Sequence, residues 1–147
     1  MPGTRVDPYL SGNFRVEIDN TSASSFSEVH GLEISVEPVD YREGTDVPLS
    51  VRKLPGVVTY SNITLKRGYT QNQDLWAWMK NILNGVIDRR NGSIVLEDQE
   101  RNEVVRWNFK NAWPCKYAGP SLHANSNEVA IETLELCCEQ IELATGA

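Results

Sequence analysis

The sequence predicts a mainly β domain, a sandwich or barrel-like fold, with one packed α-helix. Three observations predict it. Short segments alternate apolar and polar residues with the period of two that a half-buried strand requires. One stretch, from Leu75 to Ile82, sets large apolar residues at helical spacing behind a helix-start signal. Gly, Pro, Asn and Ser cluster between these segments, where turns need them. No repeat, low-complexity tract or linker divides the 147 residues. That length suits one domain, residues 1–147, with one hydrophobic core.

Residues 1–11 read as a polar arm. Asp7-Pro8 disfavours a helical start, and a chain end of this composition frays in a lone subunit. Phe14 to Ile18 alternates apolar and charged residues and reads as a strand with one wet face. Leu32 to Glu37 repeats the pattern, and Pro38 places that strand's end at an edge or a bulge. Tyr41 to Gly56 follows neither period and carries Gly44, Pro48, Pro55 and Gly56. It reads as a long loop, which in a compact domain is functional or disordered. Ser61 to Lys66 is the next alternating strand, ended by Gly68.

Thr70-Gln-Asn-Gln73 has the spacing of a capping box, in which the Thr hydroxyl and the Gln amide satisfy free N–H groups at a helix start. Leu75, Trp78, Met79 and Ile82 then form one apolar stripe, and Gly85 fits a left-handed stop. Ser93 to Glu97 and Val104 to Phe109 read as a hairpin across the polar loop Asp98 to Glu103. Val105, Trp107 and Phe109 share one of its faces. An aromatic strand runs on from Trp107, followed by a Pro/Gly turn and an Asn/Ser-rich loop. The last segment is ambiguous. Val129, Ile131 and Thr133 alternate with Glu128, Ala130 and Glu132 as in a strand, while Ile131, Leu134, Cys138 and Ile141 also fit a helical stripe. The tally is roughly six strands and one helix.

The net charge of −6 argues against a nucleic-acid binder that works through phosphate contacts. Mild acidity favours solubility and is compatible with a surface that repels polyanions. Cys115, Cys137 and Cys138 are odd in number and form no C-x-x-C, so they read as packing thiols in a reducing compartment. No secretory h-region stands at the N-terminus, and no apolar run approaches the roughly 20 residues of a membrane span.

The search for chemistry returns little. His30 precedes Gly31 at a turn-like position, and His123 lies in the Asn/Ser loop. Ser121 and His123 do not make a nucleophile and base, and there is no G-x-S-x-G elbow. Phosphate-binding glycine motifs are absent. Asp40, Glu43 and Asp46 miss the EF-hand pattern. Glu97, Asp98, Glu100 and Glu103 crowd a hairpin tip, where a solvated loop explains them better than a glycosidase pair. No catalytic, cofactor or metal site is expected. A small-ligand or carbohydrate-binding barrel would need a concave aromatic pocket, with Trp76, Trp78, Trp107 and Trp113 as candidates.

Six blocks in order resemble the tail tube proteins of contractile phages and contractile injection systems. They are Phe26-Ser-Glu-Val-His-Gly-Leu-Glu33, Tyr41-Arg-Glu-Gly44, Arg52-Lys-Leu-Pro-Gly56, Asn62-Ile-Thr-Leu-Lys-Arg-Gly68, Trp107 to Ser121 and Leu122 to Glu135. The resemblance implies hexameric rings in which each subunit lends strands to one inner β-barrel. It also makes the last segment a long strand, with a bulge near Leu134. The implied partners are other copies of the chain, a sheath, baseplate or spike and tube-terminating proteins, and a lumenal passenger, effector or DNA. Assembly is expected in the cytoplasm, in a phage tail or tail-like particle, with no direct membrane insertion. On this reading Glu33, Glu37, Glu128 and Glu132 stand on polar strand faces and line the lumen. The loop 41–56 makes inter-subunit or inter-ring contacts through Tyr41, Arg42, Glu43, Asp46, Arg52 and Lys53.

Overall fold

A computed structural model describes residues 7–21, 25–42, 44 and 51–144. The elements in order are β1 (Phe14–Ile18), β2 (Glu28–His30), β3 (Ile34–Tyr41), β4 (Arg52–Tyr60), β5 (Ile63–Gly68), α1 (Asp74–Leu83), β6 (Arg90–Glu97), β7 (Glu103–Ala118), β8 (Ile131–Cys137) and β9 (Gln140–Leu143). All strand pairs are antiparallel.

Two layers share the long strand β7. Its first half pairs with β6 on one side and β9 on the other, and β6 pairs with β1. Its second half pairs with β8, then β5, then β2. The turn from one layer to the other falls at Asn111, whose φ is +54°. Asn91 Oδ1 accepts the Asn111 backbone N–H at 3.0 Å, and Asn111 Nδ2 donates to Glu139 Oε2 at 3.0 Å. The strand alongside β7 breaks at the same level, between β8 and β9, so one bent hairpin serves both layers.

The inward faces meet in a core of Val16, Ile18, Ile63, Leu65, Ile94, Phe109, Ala112, Leu134, Leu136 and Ile141. Helix α1 adds Leu75 and Trp78, both fully buried. Trp78 Nε1 donates to the Asp88 carbonyl at 2.8 Å, and the Arg90 guanidinium lies 4.7 Å above the Trp78 ring. The segment after the helix is thereby tied to the helix's buried face. Gly85 has φ +80°, the left-handed stop that the sequence predicts.

Several expectations change. The capping box does not form: Gln73 stands at the N-cap without a side-chain bond, and the Asn72 side chain accepts the Asp74 N–H instead. An Asx turn outcompetes the Thr hydroxyl, which binds the nearer Asn72 N–H. The long loop is shorter than expected, because β3 runs on to Tyr41 and Arg52 to Gly56 belong to β4. Pro38 marks a bulge and not an end. It lies opposite Pro55 in a two-stranded ribbon with free edges, where a missing N–H forfeits little. The aromatic strand passes through Pro114 and ends at Ala118. The expected long terminal strand is two strands, and its break lies at Cys138 and Glu139 instead of near Leu134.

Candidate assembly surfaces

β2 and β3 are one strand with a joint, and so are β4 and β5. At the joint Gly31 has φ +101°, and a Cβ there would collide with the Asn62 carbonyl oxygen. Ser61 Oγ donates to the Gly31 carbonyl at 2.6 Å, and the Ser61 N–H donates to the Glu33 carbonyl at 3.1 Å. On one side of this joint the hairpin is part of the second layer. On the other side β3 and β4 form a ribbon that, among the described residues, pairs with no further strand. Every residue of β3 is exposed, and so is most of β4.

The second layer has two open edges. Among the described residues, β7 beyond Ala112 is paired on the β8 side alone, and β2 is paired on the β5 side alone. Four strands thus lie between two rows of unpartnered main-chain groups, an arrangement that seeks another strand.

The outward face of this layer is polar. Alternation opposite Ile63, Leu65, Leu134 and Leu136 puts Glu28, His30, Asn62, Thr64, Lys66, Thr133, Glu135 and Cys137 there. Glu28 accepts from His30 Nε2 at 3.3 Å and lies 3.5 Å from Lys66 Nζ. The His30 hydrogen bond, followed by the Lys66 charge, holds the Glu28 carboxyl below its ordinary value. Asn62 Nδ2 reaches Glu135 Oε1 at 3.5 Å. The Cys115 thiol is pushed up to about 12, first by burial and then by the neighbouring Cys137 thiol. All three cysteines are free, and Cys138 packs against the core from the other side of the sheet.

The first layer presents a mesh of ion pairs. Arg15 reaches Glu97 at 2.7 Å and Glu103 at 3.2 Å, and Arg106 reaches Glu103 at 2.6 Å and Glu17 at 3.3 Å. This is a structural use of the hairpin-tip carboxylates Glu97 and Glu103. Among the described residues no group of three His, Cys, Asp or Glu side chains could hold a metal ion, and no helix is long and apolar enough to cross a membrane.

The residues expected on the lumen face separate. Glu132 is 3% exposed, pairs with Arg67 and accepts from the Tyr117 hydroxyl at 2.7 Å. It stands on the inward side of β8 with Leu134 and Leu136. Val129, which alternates with the expected lumen residues, lies before the strand and is 75% exposed. The in–out assignment of this segment was therefore inverted. A buried Arg67 supplies the charge that lets a glutamate share the apolar face. Burial and that carboxylate push the Tyr117 hydroxyl well above its ordinary range. Glu33, Glu37 and Glu128 are exposed, Glu33 beside the joint, Glu37 at the ribbon's bulge and Glu128 in the loop before β8.

Tyr41 and Arg52 face each other at the far end of the ribbon, and Lys53 Nζ lies 3.5 Å from Asp40. Arg42 follows directly and is exposed. Glu43 and Asp46 lie outside the described residues. Lys66, Glu135 and the joint residues Gly31 and Ser61 were missed as surface determinants. The Ile63/Leu65 alternation could have found Lys66, but a joint between two strands leaves no periodic signal.

The four tryptophans do not converge on one pocket. Trp78 is buried, and Trp76 packs on Tyr117 with ring centres 5.3 Å apart. Trp107 borders a cleft of about 530 Å³ with Phe14, Leu32 and Ile94. Trp113 borders a shallower one near Val86 and Ile87.

Open strand edges, a polar outer face and an exposed amphipathic ribbon are the equipment of a subunit that bonds to other chains. Residues 10–142 match the family of the T4-like virus tail tube protein gp19, and the chain belongs to that family. Its fold resembles a chain in the structure of the anti-feeding prophage cap, the AFP tube terminating cap. There the identity is 27%, the match covers 99% of this chain and 97% of that one, and the TM-score is 0.85. A chain in the PVC sheath-tube complex of an extracellular contractile injection system, in its extended state, is 26% identical. That match covers 94% of this chain and 92% of the other, with a TM-score of 0.83. Hcp1 from Flavobacterium johnsoniae shares the fold at 18% identity, with 90% and 96% covered and a TM-score of 0.55. No curated protein sequence matches the chain significantly.

Proposed function

We propose that the chain is a non-enzymatic building block of the rigid inner tube of a phage tail-like injection particle. Six copies close a ring, and rings stack into a hollow conduit. The observation that carries this reading is the second layer, a four-stranded sheet open at both edges and prolonged by the ribbon. Pairing the β2 edge of one copy with the Trp113–Ala118 edge of the next satisfies both rows of main-chain groups. Four strands from each of six copies make a barrel of 24. With strands about 4.8 Å apart and tilted roughly 40°, the backbone circle is about 45–50 Å across.

The outward face of the second layer then lines the lumen, joined by Glu33, Glu37 and Glu128. The first layer, with its ion-pair mesh, turns to the sheath. Baseplate and terminating proteins bind the two ends of the tube. The passenger is an effector protein or DNA. Particles assemble in the cytoplasm.

The test is particle imaging of the chain, purified at high concentration or expressed with the other components of its particle. Sixfold rings or tubes support the reading, and a chain that stays monomeric inside assembled particles overturns it. Reversal of Glu33 and Glu37 to Lys is expected to spare folding and assembly and to change passenger retention. A map placing these side chains against the sheath sinks the lumen assignment.

A further inference from the structure

Two of the three cysteines meet on the outward face of the second layer. β7 pairs with β8 through Trp113 with Cys137 and Pro114 with Leu136, and there the register shifts, so that Lys116 faces Glu135. Cys115 is therefore the extra residue of a bulge. In an unshifted ladder Cys115 would face Glu135. The shift displaces it toward Leu136, about half a residue nearer to Cys137. Pro114 and Leu136 are fully buried, so alternation turns Cys115 and Cys137 to the opposite, outward face. The Cys115 thiol donates to the Glu135 carbonyl at 3.5 Å, and Asn62 Nδ2 reaches it at 3.9 Å from the start of β5. The Cys137 thiol is its hydrogen-bonding neighbour.

Cys138 is next in sequence and takes no part. Its thiol packs against the core and donates to the Ser61 carbonyl at 3.7 Å. Cys115 and Cys137 are both partly exposed, so a small reagent can reach them. Diagonal neighbours in a regular sheet lie about 7–8 Å apart. That is just beyond the roughly 6.8 Å that a disulfide spans between Cα atoms. The bulge shortens this diagonal. Among the described residues no third His, Cys, Asp or Glu completes a metal site with the pair, whereas a disulfide needs only the two sulfurs.

We propose that Cys115 and Cys137 form a modification site, a thiol pair that closes to a cross-strand disulfide by exchange with a small-molecule disulfide of the glutathione class. The pair lies within one subunit, so it closes whether or not tubes form. Burial and the neighbouring thiol push the Cys115 thiol up to about 12, so it stays protonated at neutral pH and the first attack falls to Cys137. Cys137 gives its proton to solvent, and its sulfur attacks the small disulfide. One half stays bound to Cys137, and the other leaves as a thiolate and takes up a proton. Cys115 then gives up its proton, its sulfur attacks the Cys137 sulfur, and the second half leaves in the same way. Two protein thiols and one small disulfide thus become one protein disulfide and two small thiols. Two electrons and two protons pass to the small molecule. The new bond ties β7 to β8 and fastens both ends of the segment 116–136, which includes the loop between them. A thiol-rich medium keeps the pair open, and a disulfide-rich one closes it.

The experiment incubates the reduced chain with excess oxidised glutathione and follows free thiols, intact mass, peptide mass maps and melting temperature. Cys115→Ser, Cys137→Ser and Cys138→Ser are treated alongside, with alanine in place of serine in any variant that does not fold. The wild-type chain is expected to fall from three free thiols to one, with no glutathione retained and a Cys115–Cys137 peptide link. It is expected to melt about 5–10 °C higher than the reduced chain, and dithiothreitol should reverse the shift. Cys138→Ser should close as the wild type does. Cys115→Ser should hold one glutathione on Cys137, and neither it nor Cys137→Ser should gain the melting shift. Three thiols left free in the wild type, separate glutathione adducts on Cys115 and Cys137, a link that includes Cys138, or a link between subunits would each overturn the assignment.

Discussion

The body and the ribbon use the same antiparallel pairing and nearly the same residues, yet they end in opposite states. In the body, Leu65, Leu134 and Leu136 lose all exposure, because a second sheet and a helix close over them. In the ribbon, Ile34, Val36 and Val39 stay about half exposed, because no second layer lies over either face. Apolar alternation alone marks a face that wants to be covered. Whether it becomes core or interface depends on whether the cover belongs to the same chain.

The sharpest way to break this comparison is to truncate one side chain on each side of it. Phe109→Ala removes a fully buried ring between the layers and is expected to cost about 3–5 kcal/mol by denaturant titration. Leu54→Ala in the ribbon is expected to stay within about 0.5 kcal/mol in the lone subunit. A ribbon truncation as damaging as the core one would mean that the ribbon folds with the body.

Next in size is the buried pair. Glu132→Leu takes the paired carboxylate from the Arg67 guanidinium, which keeps its bond to the Asn72 carbonyl, and removes the acceptor of the Tyr117 hydroxyl. The expected loss is about 3–5 kcal/mol, and Arg67→Met/Glu132→Leu should recover most of it. A loss under about 1 kcal/mol would show that the pair behaves like a surface bridge.

The joint sharpens the comparison further, since it belongs to both regions. Gly31→Ala meets both a positive φ and the Asn62 carbonyl, and is expected to cost on the order of 1–3 kcal/mol. Gly119→Ala, with nothing within 4 Å of its added Cβ, is the control. Equal melting temperatures for the two variants would show that the joint can give way.

The smallest effect is a pH dependence confined to the body. Hydrogen bonding from Arg90 is the main cause that holds the Asp88 carboxyl below its ordinary value, against the opposing effect of burial. A carboxyl lowered in the folded state adds stability above its unfolded value, and that stability disappears as pH falls through the folded one. Stability is therefore expected to drop below about pH 4, and Asp88→Asn should flatten the drop in acid denaturation curves. An unchanged slope would assign the acid sensitivity to other carboxylates.

Much of the body was legible in the chain. Phe14 to Ile18, the β6–β7 hairpin and the strand after Ser61 follow from period-two alternation, and Leu75 to Ile82 follows from helical spacing. The family was legible too, from the order of six blocks. The ribbon was half hidden, because Pro38, Pro55 and Gly56 erase its period, and such residues are tolerated there because its edges are free. Of the four glutamates expected on the lumen face, Glu132 is buried in the domain. Alternation says which residues share a face but not which of two faces is covered, and at Glu132 the partner that reverses the answer, Arg67, lies 65 positions away.

The sequence by itself determined most of the strands, the helix and the membership of a tube family, since each rests on local spacing or on ordered motifs. Only the tertiary structure decided that β7 serves two sheets, that Glu132 is inside and that Gly31 is a joint. These are matters of which surface lies against which, and chain-distant contacts set them, whereas periodicity reports only the nearest neighbours along the strand.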